Sequence, residues 1–194
     1  MAQHSVQAVI ITIGDELLIG QTVDTNSAFI ARELNKIGIW VRQRVAISDD
    51  REQILNTLTE SAVQARVVII TGGLGPTADD ITKPTLCEYF KSDLRLDESV
   101  LQNVTKIFGR FGREVTERNR QQAMVPEACT VLPNKRGTAP GMSFEKDGVF
   151  YFSLPGVPSE MEGLMNDSVI PMLEEGLELP VIVHKTTVTM GQGE

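Results

Sequence analysis

Two histidines, two cysteines and one tryptophan in 194 residues leave little of the usual equipment for metal or nucleophilic chemistry. His4 lies in a terminal segment and His184 in a late strand-like run, so a histidine-based metal site or catalytic triad is not expected. Cys87 and Cys129 stand far apart with no CxxC pair, and Cys87 falls in an apolar helical pattern. Reduced thiols and a cytoplasmic location are the expectation, with no signal peptide ahead of the first apolar run. No apolar stretch reaches membrane-spanning length. Nor is there an excess of positive charge: the formal charge is −8, which argues against a nucleic-acid or anionic-membrane partner. One basic island, Lys106, Arg110, Arg113, Arg118 and Arg120, reads either as a phosphate contact or as a solvated helix face.

What is present is the composition of a folded globular domain, 41% hydrophobic and 23% charged, long enough to bury a sizeable core. Val6 to Ile13 is a near-continuous β-branched run, as expected of a parallel strand buried on both faces. Helical spacing follows from Asp24, with Ile30, Leu34 and Ile37 on one face and Gly38 to stop it. Strands are expected over Ile39–Ile47 and Val67–Thr71, separated by a helix that opens at Asp49-Asp50. Alternating β and α implies a doubly wound, mostly parallel sheet, with ligands at the carboxyl ends of the strands.

Beyond Thr82 the expected elements are two helices, a short one capped by Thr116 and ending before Pro126, and short strands at Thr130–Leu132, Met142–Glu145 and Val149–Leu154. Lys146-Asp147-Gly148 is a hairpin turn, and Pro158 leads an amphipathic helix carrying Met161, Leu164, Met165 and Val169. The reading is one domain over residues 1–175. Residues 176–194 then hold a strand, Val181 to Met190, leading toward a further region.

The run Thr71-Gly72-Gly73-Leu74-Gly75-Pro76-Thr77-Ala78-Asp79-Asp80-Ile81-Thr82 carries the most chemistry. Its glycines permit positive φ and close backbone approach, so successive N–H groups can cradle an anion at the start of the next helix. It is neither a Walker loop nor a dinucleotide fingerprint. The same residues would also make a plain turn, with Thr82 as helix cap and Pro84 in the first helical turn. Two carboxylates facing a phosphate would repel it unless a divalent cation lay between, and hard oxygen donors suit Mg²⁺ or Mn²⁺. Asp15 and Glu16 end the first strand and Asp49 or Asp50 the second, which would bring further carboxylates to the same edge. Helix capping by Asp24 and Asp49 is the competing use.

Two later loops, Asn134 to Gly141 and Leu154 to Glu160, could close over a ligand or serve only as turns. In the first use Asn134 would read a base or ribose, Lys135 or Arg136 would offset phosphate charge, and Glu160 would bind metal or act as a base.

Gly14-Asp15-Glu16-Leu17-Leu18 with Asp24-Thr25-Asn26, the Gly72 run, the Asn134 loop and Leu154 to Met161 closely resemble the amino-terminal domain of the CinA, competence/damage-inducible, family. That domain is similar to the molybdopterin-binding, MogA/MoaB-like group, and the four motifs are ordered along almost the whole chain. The resemblance implies a three-layer α/β/α fold and a small-molecule pterin or nucleotide ligand. It gives Asp49 and Asp80 the places of the group's essential acids. For the CinA branch it implies metal-dependent hydrolysis of ADP-ribose to AMP and ribose 5-phosphate, and the paired Asp79-Asp80 fits that branch. The alternative is a non-hydrolytic molybdopterin- or nucleotide-binding module. A third reading is a domain that only supports assembly, since family members self-associate, many beside a carboxyl-terminal deamidase-type domain.

Residues and resemblance together nominate Asp49, Asp80 and Glu160 as catalytic, and Asp15, Glu16, Asp79 and Asp80 as metal ligands. The expected ligand-binding set is Gly14, Asn26, Thr71, Gly72, Gly73, Gly75, Thr77, Asn134, Lys135, Gly137, Thr138, Pro155 and Gly156.

Overall fold

In β1, Gln7–Ile13, every residue after the first is buried, so the strand needs protein on both faces and along both edges. It obtains both. The computed structural model describes residues 6–75 and 80–179. In it β1 pairs in parallel with β2, Trp40–Ile47, on one side and with β3, Val67–Thr71, on the other. Alternation along β1 then sorts its side chains. Ala8 and Ile10 face one helical layer, while Val9, Ile11 and Ile13 face the opposite one.

A four-residue turn of helix, α1, Asp15–Leu18, follows β1, and then α2, Thr25–Lys36, crosses to β2. As expected, Asp24 caps α2, accepting from the Ser27 N–H at 2.9 Å. Gly38, at φ 88°, ends it, with the Ile39 N–H returning to the Leu34 carbonyl. α3, Arg51–Gln64, is capped by Asp50, whose carboxylate accepts from the Gln53 N–H at 2.9 Å. Capping was the competing use of Asp49, and Asp50 takes it instead. One residue farther back, Asp49 is released for other use.

α4, Thr82–Phe90, starts where the sequence predicts, but Ile81 occupies its N-cap position and no side chain caps it. There follow β4, Leu94–Leu96, α5, Glu98–Arg110, and α6, Glu117–Arg120. Thr116 caps α6 through a reciprocal bond with Asn119. A 3-10 turn, Gln121–Ala123, leads to β5, Met124–Pro126, which pairs antiparallel with β4. Sequence reading misses this two-stranded sheet because three-residue strands carry no periodicity, and Pro126 reads as a stop when it ends an edge strand.

β6, Thr130–Leu132, β7, Gly141–Lys146, and β8, Val149–Leu154, complete the main sheet in the order β2-β1-β3-β8-β7-β6. β8 is parallel to β3 and antiparallel to β7, so the sheet is mostly parallel with an antiparallel flank. Asp147 and Gly148, at φ 52° and 76°, make the two-residue hairpin turn.

The last helix is not uniform. α7, Pro158–Leu164, widens into a π-helical stretch, Met165–Val169, before α8, Ile170–Gly176. Pro171 has no N–H to give an α-helical ladder, which accounts for the irregularity just before it. α2 and α7 cover one sheet face and α3 and α4 the other, giving the expected three layers. The strand expected at Val181 to Met190, together with Thr77 and Asp79, lies outside the described residues.

The face under α2 depends on Leu34, which is 0% exposed. Leu34→Ala is expected to cost about 2–5 kcal/mol in urea unfolding. Val63→Ala, at a position 88% exposed, should stay within about 0.5 kcal/mol of the parent.

Candidate functional site

Because β1, β2, β3 and β8 run in the same direction, their carboxyl ends share one edge of the sheet. The ladders extend one residue past the strands: the Gly14 N–H donates to the Ile47 carbonyl and the Gly72 N–H to the Leu154 carbonyl, each at 3.1 Å. Thr71 donates its hydroxyl to the Pro155 carbonyl at 2.9 Å. Asn26, in the first turn of α2, donates to the Gly156 carbonyl at 2.8 Å and to the Thr71 hydroxyl oxygen at 3.3 Å. Since Gly156 O can only accept, the Asn26 amide orientation is fixed. Its Oδ1 is buried without a partner among the described residues.

These groups surround a cleft of about 110 Å³ whose walls include Glu16, Asp24, Asn26, Thr71, Gly72 and Gly156. Asp24 both caps α2 and accepts from the Thr12 hydroxyl at 3.3 Å, so its wall position is fixed by the fold. Sequence reading took Asp24 as a cap alone and did not nominate Thr12.

Beside the cleft the edge turns acidic. Ser48 donates its hydroxyl to Asp15 Oδ1. Asp49 is held above its ordinary carboxyl range, first by burial and then by the charges of Asp15 and Glu16, with Asp80 adding less. The Asp15 backbone N–H, which donates to it, acts in the opposite direction. Asp49 therefore senses three of the other expected acids. Among the described residues, however, no three His, Cys, Asp or Glu side chains are gathered as a metal cage.

The Gly72 loop differs from the expected nest of free amides. Besides the Gly72 N–H committed to β8, the Gly75 N–H donates to Asp80 Oδ1 at 2.9 Å. Gly72 and Gly75 therefore contribute space more than donors. Gly72, at φ 115°, lies where any side chain would strike the Ile13 carbonyl oxygen. Gly73, at φ 63°, leaves room for Thr82 and Asp49, and Gly75 for Asp80.

The Asn134 loop is a separate structure. Asn134 is buried, and its amide is fully used: Nδ2 donates to the Ala139 carbonyl at 2.8 Å and to Glu160 at 2.5 Å, while Oδ1 accepts from the Arg136 and Gly137 N–H groups. In place of reading a base, Asn134 shapes its own loop. The Asn103 side chain, which sequence reading missed, donates to the Asn134 and Gly137 carbonyls at 3.0 Å each and ties the loop to α5. Lys135 and Arg136 pair with Asp167, at 3.4 and 3.2 Å, instead of facing the strand ends.

Glu160 fits into the space that Gly137 leaves. Burial raises its carboxyl, and the bond from Asn134 opposes that shift. Thr138 lines a depression of about 180 Å³ between this loop and α5. The expected ligand-binding residues thus fall into two groups, one at the cleft and one in this clasp. Lys83, also unremarked in the sequence, is buried and lowered to about 8 by desolvation against the pull of Asp80, with its ammonium donating to the Gln122 carbonyl at 3.2 Å.

The family described as a probable molybdopterin binding domain matches residues 9–175. A CinA-like protein of Flavobacterium psychrophilum is 52% identical over 189 residues, which is 97% of this chain and 45% of that protein. A putative competence-damage inducible protein of Clostridioides difficile is 41% identical over 188 residues, again 97% of this chain and 45% of that protein. The chain thus spans about half the length of the curated relatives it matches.

Among solved structures, the CinA protein of unknown function from Thermoplasma acidophilum superposes with a TM-score of 0.78 at 34% identity, covering 90% of this chain and 99% of its own. The molybdopterin biosynthesis enzyme MoaB of Thermus thermophilus superposes at 0.59 with 18% identity, covering 88% and 93%, a likeness of fold. No helix among the described residues is long and apolar enough to cross a membrane. With the family's description matching residues 9–175 and a CinA structure 34% identical over 99% of its own length, the chain belongs to the probable molybdopterin binding domain family, in its CinA-like branch.

Proposed function

We propose that the domain binds a phosphorylated pterin or nucleotide at the carboxyl edge of its parallel strands. The observation that carries this reading is the buried, unpartnered Asn26 carbonyl at the cleft. Glu16, Asp24 and Thr71 add further acceptors there, and among the described residues no Lys or Arg lines the walls. The part of a ligand that enters must therefore donate hydrogen bonds. A pterin's aminopyrimidinone edge does so, as do a nucleotide's exocyclic amine and ribose hydroxyls. The family's description supports the pterin.

The ligand's phosphates would lie toward the Gly72 loop and the uncapped start of α4. Asp15, Glu16 and Asp80 oppose that placement unless a divalent cation offsets them. The donor chemistry fits Mg²⁺ or Mn²⁺: carboxylate oxygens close enough to perturb Asp49 stand at the edge. Mg²⁺ commonly takes only one or two protein carboxylates and completes its shell with water and phosphate, so a three-acid cage is not required.

A second reading, hydrolysis of ADP-ribose, is favoured by the raised Asp49 carboxyl, since a base works best when its pKa lies nearer the working pH. Water would attack one phosphorus and the bridging P–O bond would break, giving AMP and ribose 5-phosphate, with Asp49 accepting the water's proton. Glu160 is the less available base because Asn134 already holds it. A bound cation would supply charge neutralisation at the phosphoryl oxygens.

Calorimetry and chromatography with neopterin monophosphate, AMP and ADP-ribose, each with and without Mg²⁺ or Mn²⁺, test both readings. Binding without turnover is expected for the first. Release of AMP from ADP-ribose, reduced about a hundredfold or more in Asp49→Asn, is expected for the second. Silence toward every ligand would sink both.

Asp49 also has a stability signature. Its folded pKa lies above the ordinary 3.8, so its contribution is fully present below that value and is lost as the pH rises through the raised one. Asp49→Asn should therefore have a higher Tm than the parent at pH 7, with the gap closing as the pH falls toward 3.8. A gap that widens in acid would contradict this.

The chain is also proposed to be cytoplasmic, to self-associate and to work beside a carboxyl-terminal deamidase-type domain. Light scattering of the purified domain should give a mass above the monomer.

A further inference from the structure

Thr82 is 0% exposed, yet its hydroxyl has no hydrogen-bond partner among the described residues. The hydroxyl does not cap α4, whose N-cap is Ile81. Thr85, one turn on, shows the ordinary solution, donating its hydroxyl to the Ile81 carbonyl at 2.8 Å. An unmet buried hydroxyl lowers a folding equilibrium by a factor of about ten to a hundred, so such a group calls for an explanation.

Gly73 supplies one. A side chain there would strike Thr82 Oγ1 and come within 3.3 Å of Asp49 Oδ1, so hydroxyl and carboxylate face one gap that the missing side chain keeps open. We propose that Thr82 is a positioning residue for Asp49, its hydroxyl sealed behind Gly73 and donating to the carboxylate once a ligand occupies the strand-end cleft. The inference rests on the ligand site proposed above. Thr82 does not touch the ligand. It fixes the Asp49 carboxylate from behind, while the Asp15 N–H, which donates to the same carboxylate, holds it from the β1 end.

The test combines Thr82→Val, close to isosteric but without the hydroxyl, with Thr82→Ser, which keeps it. Calorimetry would use neopterin monophosphate and α,β-methylene-ADP, whose carbon bridge resists cleavage, both with Mg²⁺. Thr82→Val should match or exceed the parent's Tm without a probe, because an unmet polar group has been removed. It should bind the better probe about ten- to a hundredfold more weakly. Thr82→Ser should restore that affinity. In an Asp49→Ala background, which removes the acceptor, Thr82→Val should cause no further loss.

A lower Tm in Thr82→Val without probe would make the hydroxyl structural and overturn the proposal. So would unchanged affinity, or an equal loss in the Asp49→Ala background. A parent protein silent toward both probes would overturn the ligand site itself, an outcome visible without any variant.

Discussion

Everything at the candidate site depends on β1 being enclosed by parallel neighbours. A strand buried on both faces and hydrogen-bonded along both edges has one way out, at its end. Parallel pairing brings the ends of β2, β3 and β8 to that same level. Thr71, Pro155 and Gly156 then bond to one another or to Asn26 across the edge, and Gly72 to Leu154, so the cleft wall is an extension of the sheet ladder. A site built this way is as rigid as the core beneath it.

That rigidity holds an unfavourable charge arrangement. Asp15, Glu16, Asp49 and Asp80 stand near enough for the first two and the last to raise the third. Only part of the repulsion is relieved internally: Ser48 bonds Asp15, the Gly75 N–H bonds Asp80, and the buried Lys83 sits within the field of Asp80. Folding alone gains nothing from such a cluster, and clusters of this kind mark sites where binding or catalysis uses the strain.

Much of the fold was legible because its signals are long. The buried runs of β1 and β3, the Asp24 and Thr116 caps, and the Asp147-Gly148 turn each combine periodicity or dihedral demand with sequence neighbours, and each sits where expected. The β4–β5 pair and the widened turn at Met165–Val169 were not legible, because tertiary packing decides the first, and Pro171 signals a break in the helix without fixing its form. At the site, residue identity pointed to the acidic edge but not to the use of each group. Asp49 and Asp50 look alike in sequence, and only helix geometry makes Asp50 the cap and leaves Asp49 to the site. Asn134 looks like a ligand reader in sequence, but three of its bonds lie within its own loop and the fourth goes to Glu160 of α7.

The separation of the two loops narrows the ligand chemistry. With Lys135 and Arg136 committed to Asp167, the edge has no flexible cation of the Asn134 loop to meet a phosphate. A bare phosphate would face carboxylates on one side and an acceptor-lined cleft on the other, with little to hold it. On the reading proposed above, a ligand that also carries hydrogen-bond donors would satisfy the Asn26 carbonyl at one end, and a cation would offset the acids beside its phosphate at the other. The physical demand of this site is thus for both features in one molecule. The pterin phosphates and nucleotides proposed above carry both, a hydrogen-bond-donating edge and a phosphate.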